Sequence, residues 1–234
     1  MTYKIRMAKE RAIESSLTGP EMFARRNEFL LAVGEEVAAL LQDLVIGLKA
    51  KTIVELGTSY GYSTLFLAAA ARHVGGKVFS YEIASEKQAY AKEQIAVAEL
   101  SEFVEWRLGD AISLLGSQSG PVDFVLMDLW KDLYVPCFDA LYPMLAINGV
   151  IVADNMLFPE LFRADAAVYR AAVRAKRDMQ AVLLPIGQGV DVSCRVDVVD
   201  SEYRFRDGAH QQVVTTRCAV ADTQLIDAHR VHPQ

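Results

Sequence analysis

Residues 52–63 read TIVELGTSYGYS. Thr52–Leu56 is a short β-branched run, Gly57 and Gly61 bracket three residues, and an alanine- and leucine-rich stretch, Tyr62–His73, follows. A strand that passes through a glycine loop into a helix places backbone N–H groups at a helix N-terminus, where the chain can approach a ligand closely. The alternation continues outward. Strand-like runs recur at Lys77–Glu82, Phe103–Leu108, Val122–Asp128 and Gly149–Asp154, separated by helical stretches at Ser85–Leu100, Ala111–Leu115 and Lys131–Leu145. Strands alternating with helices predict an α/β fold, a mostly parallel sheet wrapped on both faces. Glu55, Glu82, Asp128 and Asp154 all fall at or beside strand ends. The carboxyl ends of strands line the ligand crevice in an open α/β sheet, so these four carboxylates are expected to converge.

Before this unit, residues 8–18 and 21–48 have helical spacing, separated by Gly19 and Pro20, with an apolar stripe of Phe29, Leu30, Val33, Val37, Leu40, Leu41 and Leu44. After it come a helix at Ala164–Arg177 and strands at Ala181–Pro185 and Val190–Val199. Tyr203-Arg204-Phe205-Arg206, then Asp207-Gly208, then residues 211–220 signal a β-hairpin. That hairpin is expected to cover an edge of the sheet or to pair with a second subunit, giving a homodimer. The chain reads as one domain over 1–234: a helical cap at 1–50, a ligand-binding core at 51–198 and an extension at 199–234.

The 234 residues are 52% hydrophobic, ample for a buried core, with 24 basic residues against 30 acidic and a net charge of -6. No basic stretch is long enough to follow a phosphate backbone, so nucleic acid is not an expected partner. Cys137, Cys194 and Cys218 show no CxxC spacing, which argues against a disulfide framework or a structural zinc and for a reducing compartment. Residues 1–11 lack the apolar core of a signal peptide, and the apolar run near Leu65–Ala71 is too short to span a bilayer. A cytoplasmic protein without membrane association is the expectation.

The glycine loop lacks the G-x-G-x-x-G of dinucleotide sites. Glu55 would repel a pyrophosphate, yet it is tolerable beside a cationic amino acid and a sulfonium. Glu82 stands where a carboxylate can accept ribose hydroxyls; the plain alternative is a solvated strand end. NAD and S-adenosylmethionine share that ribose logic, so this pair leaves both open.

A second constellation follows in Val125-Leu126-Met127-Asp128-Leu129-Trp130-Lys131 and Ala153-Asp154-Asn155. Asp128, Asp154 and Asn155 offer three oxygen ligands from neighbouring strand ends, which suits a hard cation such as Mg²⁺ or another divalent ion. Lys131 falls in the first turn of a helix, opposed to the positive end of the dipole. A surface lysine is the ordinary reading of such a residue, and a turn or cap the ordinary reading of Asp154-Asn155.

ELGTSYGYS (55–63), YEI (81–83), LGDA (108–111), MDLWKDLY (127–134) and ADN (153–155) together resemble the catechol and caffeoyl-CoA family of cation-dependent, S-adenosylmethionine-using O-methyltransferases. The likeness covers about residues 50–195. It implies a Rossmann-like, doubly wound, mostly parallel seven-stranded sheet. It further implies that Glu55, Gly57, Thr58, Tyr60 and Ser63 hold the methionine part of S-adenosylmethionine and that Glu82 binds its ribose. Asp110, Ala111 and Trp130 would border the adenine; Asp128, Asp154 and Asn155 would bind magnesium, with Asp128 also near the cofactor's amino group. Lys131 would be the general base acting on a small, aromatic acceptor with vicinal oxygens. Met156, Leu157, Phe158 and Phe162 would form an apolar lip for that acceptor or simply a helix core.

The sequence departs from the family at four places. Leu129 replaces a histidine, and Gln188 replaces an aspartate. No glutamate stands between the last two family strands, though Asp191 is near, and the tail beyond about residue 198 has no counterpart. A metal-independent methyltransferase, a nicotinamide-dependent dehydrogenase and a non-catalytic cofactor-binding scaffold are the competing readings.

Overall fold

In the computed structural model the chain is described from residue 9 to residue 218, apart from 11, 14, 15, 26, 27, 119, 208 and 209. Helices α1 (Gly19–Ala24) and α2 (Glu35–Leu48) precede an alternating core. The core runs β1 (Thr52–Leu56), α3 (Tyr62–Val74), β2 (Lys77–Glu82), α4 (Ser85–Val97), β3 (Val104–Leu108), α5 (Ala111–Leu115), β4 (Val122–Met127), α6 (Tyr134–Leu141), β5 (Leu145–Ala153), α7 (Arg163–Arg174), β6 (Met179–Leu184) and β7 (Val190–Arg195). The seven strands form one sheet in the order β3-β2-β1-β4-β5-β7-β6. β7 runs antiparallel to both its neighbours, while the pairings among β1 to β5 are parallel.

Composition follows position in this sheet. Ile53, Val54, Leu56, Phe124, Val125, Leu126 and Met127 are fully buried. The two central strands therefore read as continuous apolar runs, because helices cover both faces. One face packs on Val37, Leu41, Val45, Leu67 and Ile95; the other packs on Tyr134, Cys137, Phe138, Tyr169 and Val173. The strand order reverses between β1 and β4, and the loops after these two strands open one crevice there.

The N-terminal reading needs correction. No continuous helix occupies 21–48: α1 ends at Ala24 and α2 begins only at Glu35. Leu31 (φ 47°) and Gly34 (φ 89°) adopt backbone angles that a helix cannot contain. Gly19 and Pro20 themselves open α1, after the helical residues 9, 10, 12 and 13; proline suits a first helical turn because its missing N–H would be unpaired there anyway. The helix expected over Lys131–Leu145 resolves into a 3₁₀ turn (Lys131–Leu133), α6 and a second 3₁₀ turn (Tyr142–Met144). The strand expected at Val190–Val199 ends at Arg195. β8 (Val199–Asp207) then pairs antiparallel with β9 (His210–Cys218) as the expected hairpin. It forms a two-stranded sheet of its own and extends neither edge of the large one. The turn glycine, Gly208, the residues after 218 and the first eight residues lie outside the described residues. Among the described residues no helix is long and apolar enough to cross a membrane.

Candidate active site

The loop after β1 is shaped from below. Glu55 is fully buried, and its carboxylate accepts hydroxyls from Ser63 (2.6 Å) and Thr64 (2.6 Å) at the start of α3 and from Ser80 (2.5 Å) on β2. Burial pushes the Glu55 carboxyl up to about 7, outweighing three hydrogen bonds that favour its charged form. Thr58 and Ser80 share a further hydroxyl contact at 2.6 Å. Glu55, Thr58 and Ser63 thus lie beneath the loop and tie it to β2 and α3. They do not line the cavity above it, and neither does Tyr60, whose ring meets Tyr90 edge-on at 5.5 Å.

Gly57 does line the cavity. Its N–H and that of Thr58 both bond the Tyr81 carbonyl, and a Cβ added at Gly57 would stand 2.0 Å from the Asp128 carbonyl oxygen. At φ 100° as well, the position admits only glycine. Glu82 closes the neighbouring strand and faces the same space. Its Oε2 accepts the Ser59 N–H at 2.7 Å, and its Oε1 accepts the N–H groups of Ile83 (3.0 Å) and Ala84 (2.9 Å). This carboxylate therefore both anchors the loop and lines the cavity. Asp110 and Ala111 border the cavity at the start of α5, where Asp110 caps the helix by accepting the Ser113 N–H at 2.9 Å.

Across the strand-order reversal stand Asp128, Leu129, Trp130, Lys131 and Asn155. Asp128 and Asp154 immediately follow the paired residues Met127 and Ala153, so the two carboxylates sit at adjacent strand ends. Asp154 is 2% exposed and Lys131 5%. Lys131 Nζ donates to the Tyr134 hydroxyl at 2.5 Å, and that hydroxyl lies 3.0 and 3.1 Å from the carbonyls of Met127 and Asp154. Tyr134 thereby fixes the ammonium against both strand ends. Burial lowers the Lys131 pKa from the ordinary lysine value, with Asp128 and Asp154 opposing, while burial raises that of Asp128.

Does this set suit a cation? Asn155 (φ 55°) donates its amide nitrogen to Gln188 Oε1 at 2.6 Å, which turns its carboxamide oxygen the other way. Two desolvated carboxylates on neighbouring strands and one amide oxygen form a hard-oxygen donor set. Among the described residues no three His, Cys, Asp or Glu side chains gather into a metal-binding group. The set fits a cation that also takes oxygens from water or a bound molecule, rather than a closed structural site.

An apolar wall completes the cavity. Trp130 meets Phe162 edge-on at 6.1 Å, and Leu133 and Pro159 lie alongside. Of the other residues expected at the lip, Met156 is core and Leu157 packs on Gly189. Asp191 is fully buried, paired with Arg170 at 2.8 Å and bonded by Ser193, so it does not reach the cavity.

Leu31, Ala32 and Lys87 also line the cavity and were not anticipated. Leu31 and Ala32 come from the stretch misread as helix. Lys87 carries the signal that picked out Lys131, a cation in the first turn of a helix, and could have been found by it.

The family model described as O-methyltransferase matches residues 20–200. A protein named probable O-methyltransferase in Mycobacterium tuberculosis is 30% identical over 178 residues, covering 71% of this chain and 73% of that one. Catechol O-methyltransferase B of Danio rerio is 29% identical over 153 residues, covering 62% of this chain and 58% of its own. Among solved structures, the O-methyltransferase from Bacillus cereus in complex with S-adenosylhomocysteine superposes with a TM-score of 0.66 at 26% identity, covering 74% of this chain and 86% of that one.

Proposed function

The chain belongs to the O-methyltransferase family, and on that premise we propose that it methylates one hydroxyl of a small aromatic acceptor carrying two adjacent oxygens. It is an S-adenosylmethionine-dependent O-methyltransferase. The observation that carries the finer reading is the group Asp128, Lys131 and Asn155 on the wall of the crevice that also exposes Gly57 and Glu82, with Asp154 buried behind it at the adjacent strand end. Likeness to a catechol O-methyltransferase supports the choice of vicinal oxygens.

Glu82 binds the cofactor's ribose, the backbone at Gly57 and the Asp128 carboxylate hold its methionyl half, and Asp110, Ala111 and Trp130 border the adenine. Glu55, Thr58 and Ser63 support the loop from beneath, and Tyr60 packs beside it. Asp128, Asp154 and Asn155 would hold a divalent cation, magnesium or another, which when bound acidifies an acceptor hydroxyl and anchors its neighbour. Lys131 Nζ, shifted toward its neutral form by burial, takes the hydroxyl proton. The acceptor oxygen attacks the sulfonium methyl in line; the C–O bond forms as the S–CH₃ bond breaks, leaving S-adenosylhomocysteine. Trp130, Phe162, Leu133 and Pro159 exclude water and grip the ring.

Turnover of a catechol should vanish after exhaustive chelation and return with added Mg²⁺ or Mn²⁺. Full activity in EDTA would discard the cation and leave a metal-independent methyltransferase in which Asp154 is structural.

A further inference from the structure

Lys87 has no role in the chemistry above. It is the third residue of α4, where the helix dipole opposes a cation, and it is 5% exposed, where desolvation opposes any charge. Its side chain nevertheless lines the cofactor cavity, with Nζ 5.3 Å from the centroid of the Tyr60 ring in the glycine loop. Its charge is felt by Asp128 across the cavity.

The charges along the cavity wall suggest what Lys87 meets. Glu82, Asp110 and Asp128 are the anionic side chains there, and Lys87 and Lys131 are the cationic ones among the described residues. S-adenosylmethionine brings two cations, its ammonium and sulfonium, and one anion, its α-carboxylate. Asp128 complements the cations, and Lys131 faces the reacting hydroxyl. The loop's own hydroxyls are turned away: Thr58 to Ser80, Ser63 to Glu55, and Ser59 to the Leu30 carbonyl at 3.0 Å. We infer that Lys87 binds the α-carboxylate of the cofactor's methionyl half, forming with Asp128 a pair that reads the amino acid as a zwitterion. A carboxylate there forms a charge-assisted hydrogen bond with the ammonium.

Lys87 can do this only if the cavity takes S-adenosylmethionine, so the test separates the two. Calorimetry on the full chain compares S-adenosylhomocysteine with 5′-methylthioadenosine, which keeps the nucleoside and thioether but lacks the amino acid. Lys87→Met should weaken S-adenosylhomocysteine by about ten- to a hundredfold, the reach of a hydrogen bond to a charged group. It should leave 5′-methylthioadenosine unchanged, and Lys87→Arg should recover most of the loss. Equal weakening of both ligands would make Lys87 a structural residue and overturn the inference, as would an unchanged affinity for S-adenosylhomocysteine. Should Lys87→Met fail to fold, the wild type decides: it should prefer S-adenosylmethionine over its decarboxylated analogue by at least about tenfold. Equal affinity for these two overturns the assignment. A wild type that binds neither S-adenosylhomocysteine nor S-adenosylmethionine would overturn the cavity's reading and this one with it.

Discussion

Burial acts on Glu55 and Lys131 in one sense, toward neutrality, and the consequences differ. Glu55 is a carboxyl shifted up to about 7 and enclosed by three hydroxyls, so it ties the loop to β2 and α3 while carrying less charge than a surface glutamate. Lys131 is an amine shifted down from 10.5, which leaves more of the neutral base near neutral pH. The rate of methyl transfer should therefore rise with pH and level off below 10.5, as Lys131 loses its proton. Lys131→Met should lower the single-turnover rate by about 10²–10⁴, the usual reach of general-base catalysis. It should also replace the plateau with a rise that follows hydroxide, while S-adenosylhomocysteine still binds. A variant that keeps the wild-type inflection would show that another group supplies the base. Lys131 drew notice in the sequence as a cation in a first helical turn, but its role came only with the family resemblance. The partners of Glu55 were not legible, since they stand 8, 9 and 25 residues away and meet only when β1, β2 and α3 pack. The resemblance assigned Glu55, Thr58 and Ser63 to the cofactor's methionine; packing puts them beneath the glycine loop, off the cavity lining.

At the level of elements, the strand–loop–helix unit at 52–74 rests on a single backbone position. Gly57 lies between the Tyr81 carbonyl, which accepts its N–H, and the Asp128 carbonyl, with which any Cβ would collide. Gly57→Ala must move the loop away from the end of β4, at a cost of about 1–3 kcal/mol for the backbone conformation alone. The variant should melt several degrees lower and lose measurable affinity for S-adenosylhomocysteine by calorimetry. Wild-type affinity would mean that the cofactor does not depend on the close approach of β1 and β4. The periodic core elements were readable because burial on both faces leaves little choice of residue type. The irregular ones were not. Leu31 takes a positive φ that nothing in its side chain signals, and the stripe from Phe29 to Leu44 masks the break with correct apolar spacing. β7 stops at Arg195 because that side chain pairs with Asp178 at 2.8 Å and donates to the Tyr142 and Leu145 carbonyls, contacts made across the fold. The cost to the site was specific: Leu31 and Ala32, in the misread stretch, are part of the cavity wall.

For the whole molecule, the extension after β7 is the piece whose purpose the core does not supply. β8 and β9 pair with each other over nine residues each and with no strand of the large sheet. A two-stranded ribbon is marginal in water by itself, and its outer edges offer rows of backbone donors and acceptors. We propose a second copy of the chain as the partner of this ribbon, through edge pairing about a two-fold axis. Among the described residues, by contrast, the lining of the cavity ends at Gln188. Deleting residues 199–234 should therefore separate two properties. Light scattering should report one chain for the truncated protein and two for the full one, while calorimetry should find S-adenosylhomocysteine bound by both with similar affinity. If the truncated protein keeps the mass of the full chain, the ribbon is not the dimer contact. If it loses the cofactor while remaining folded, the extension reaches the cavity from the outside, and the division of the chain at residue 198 is wrong.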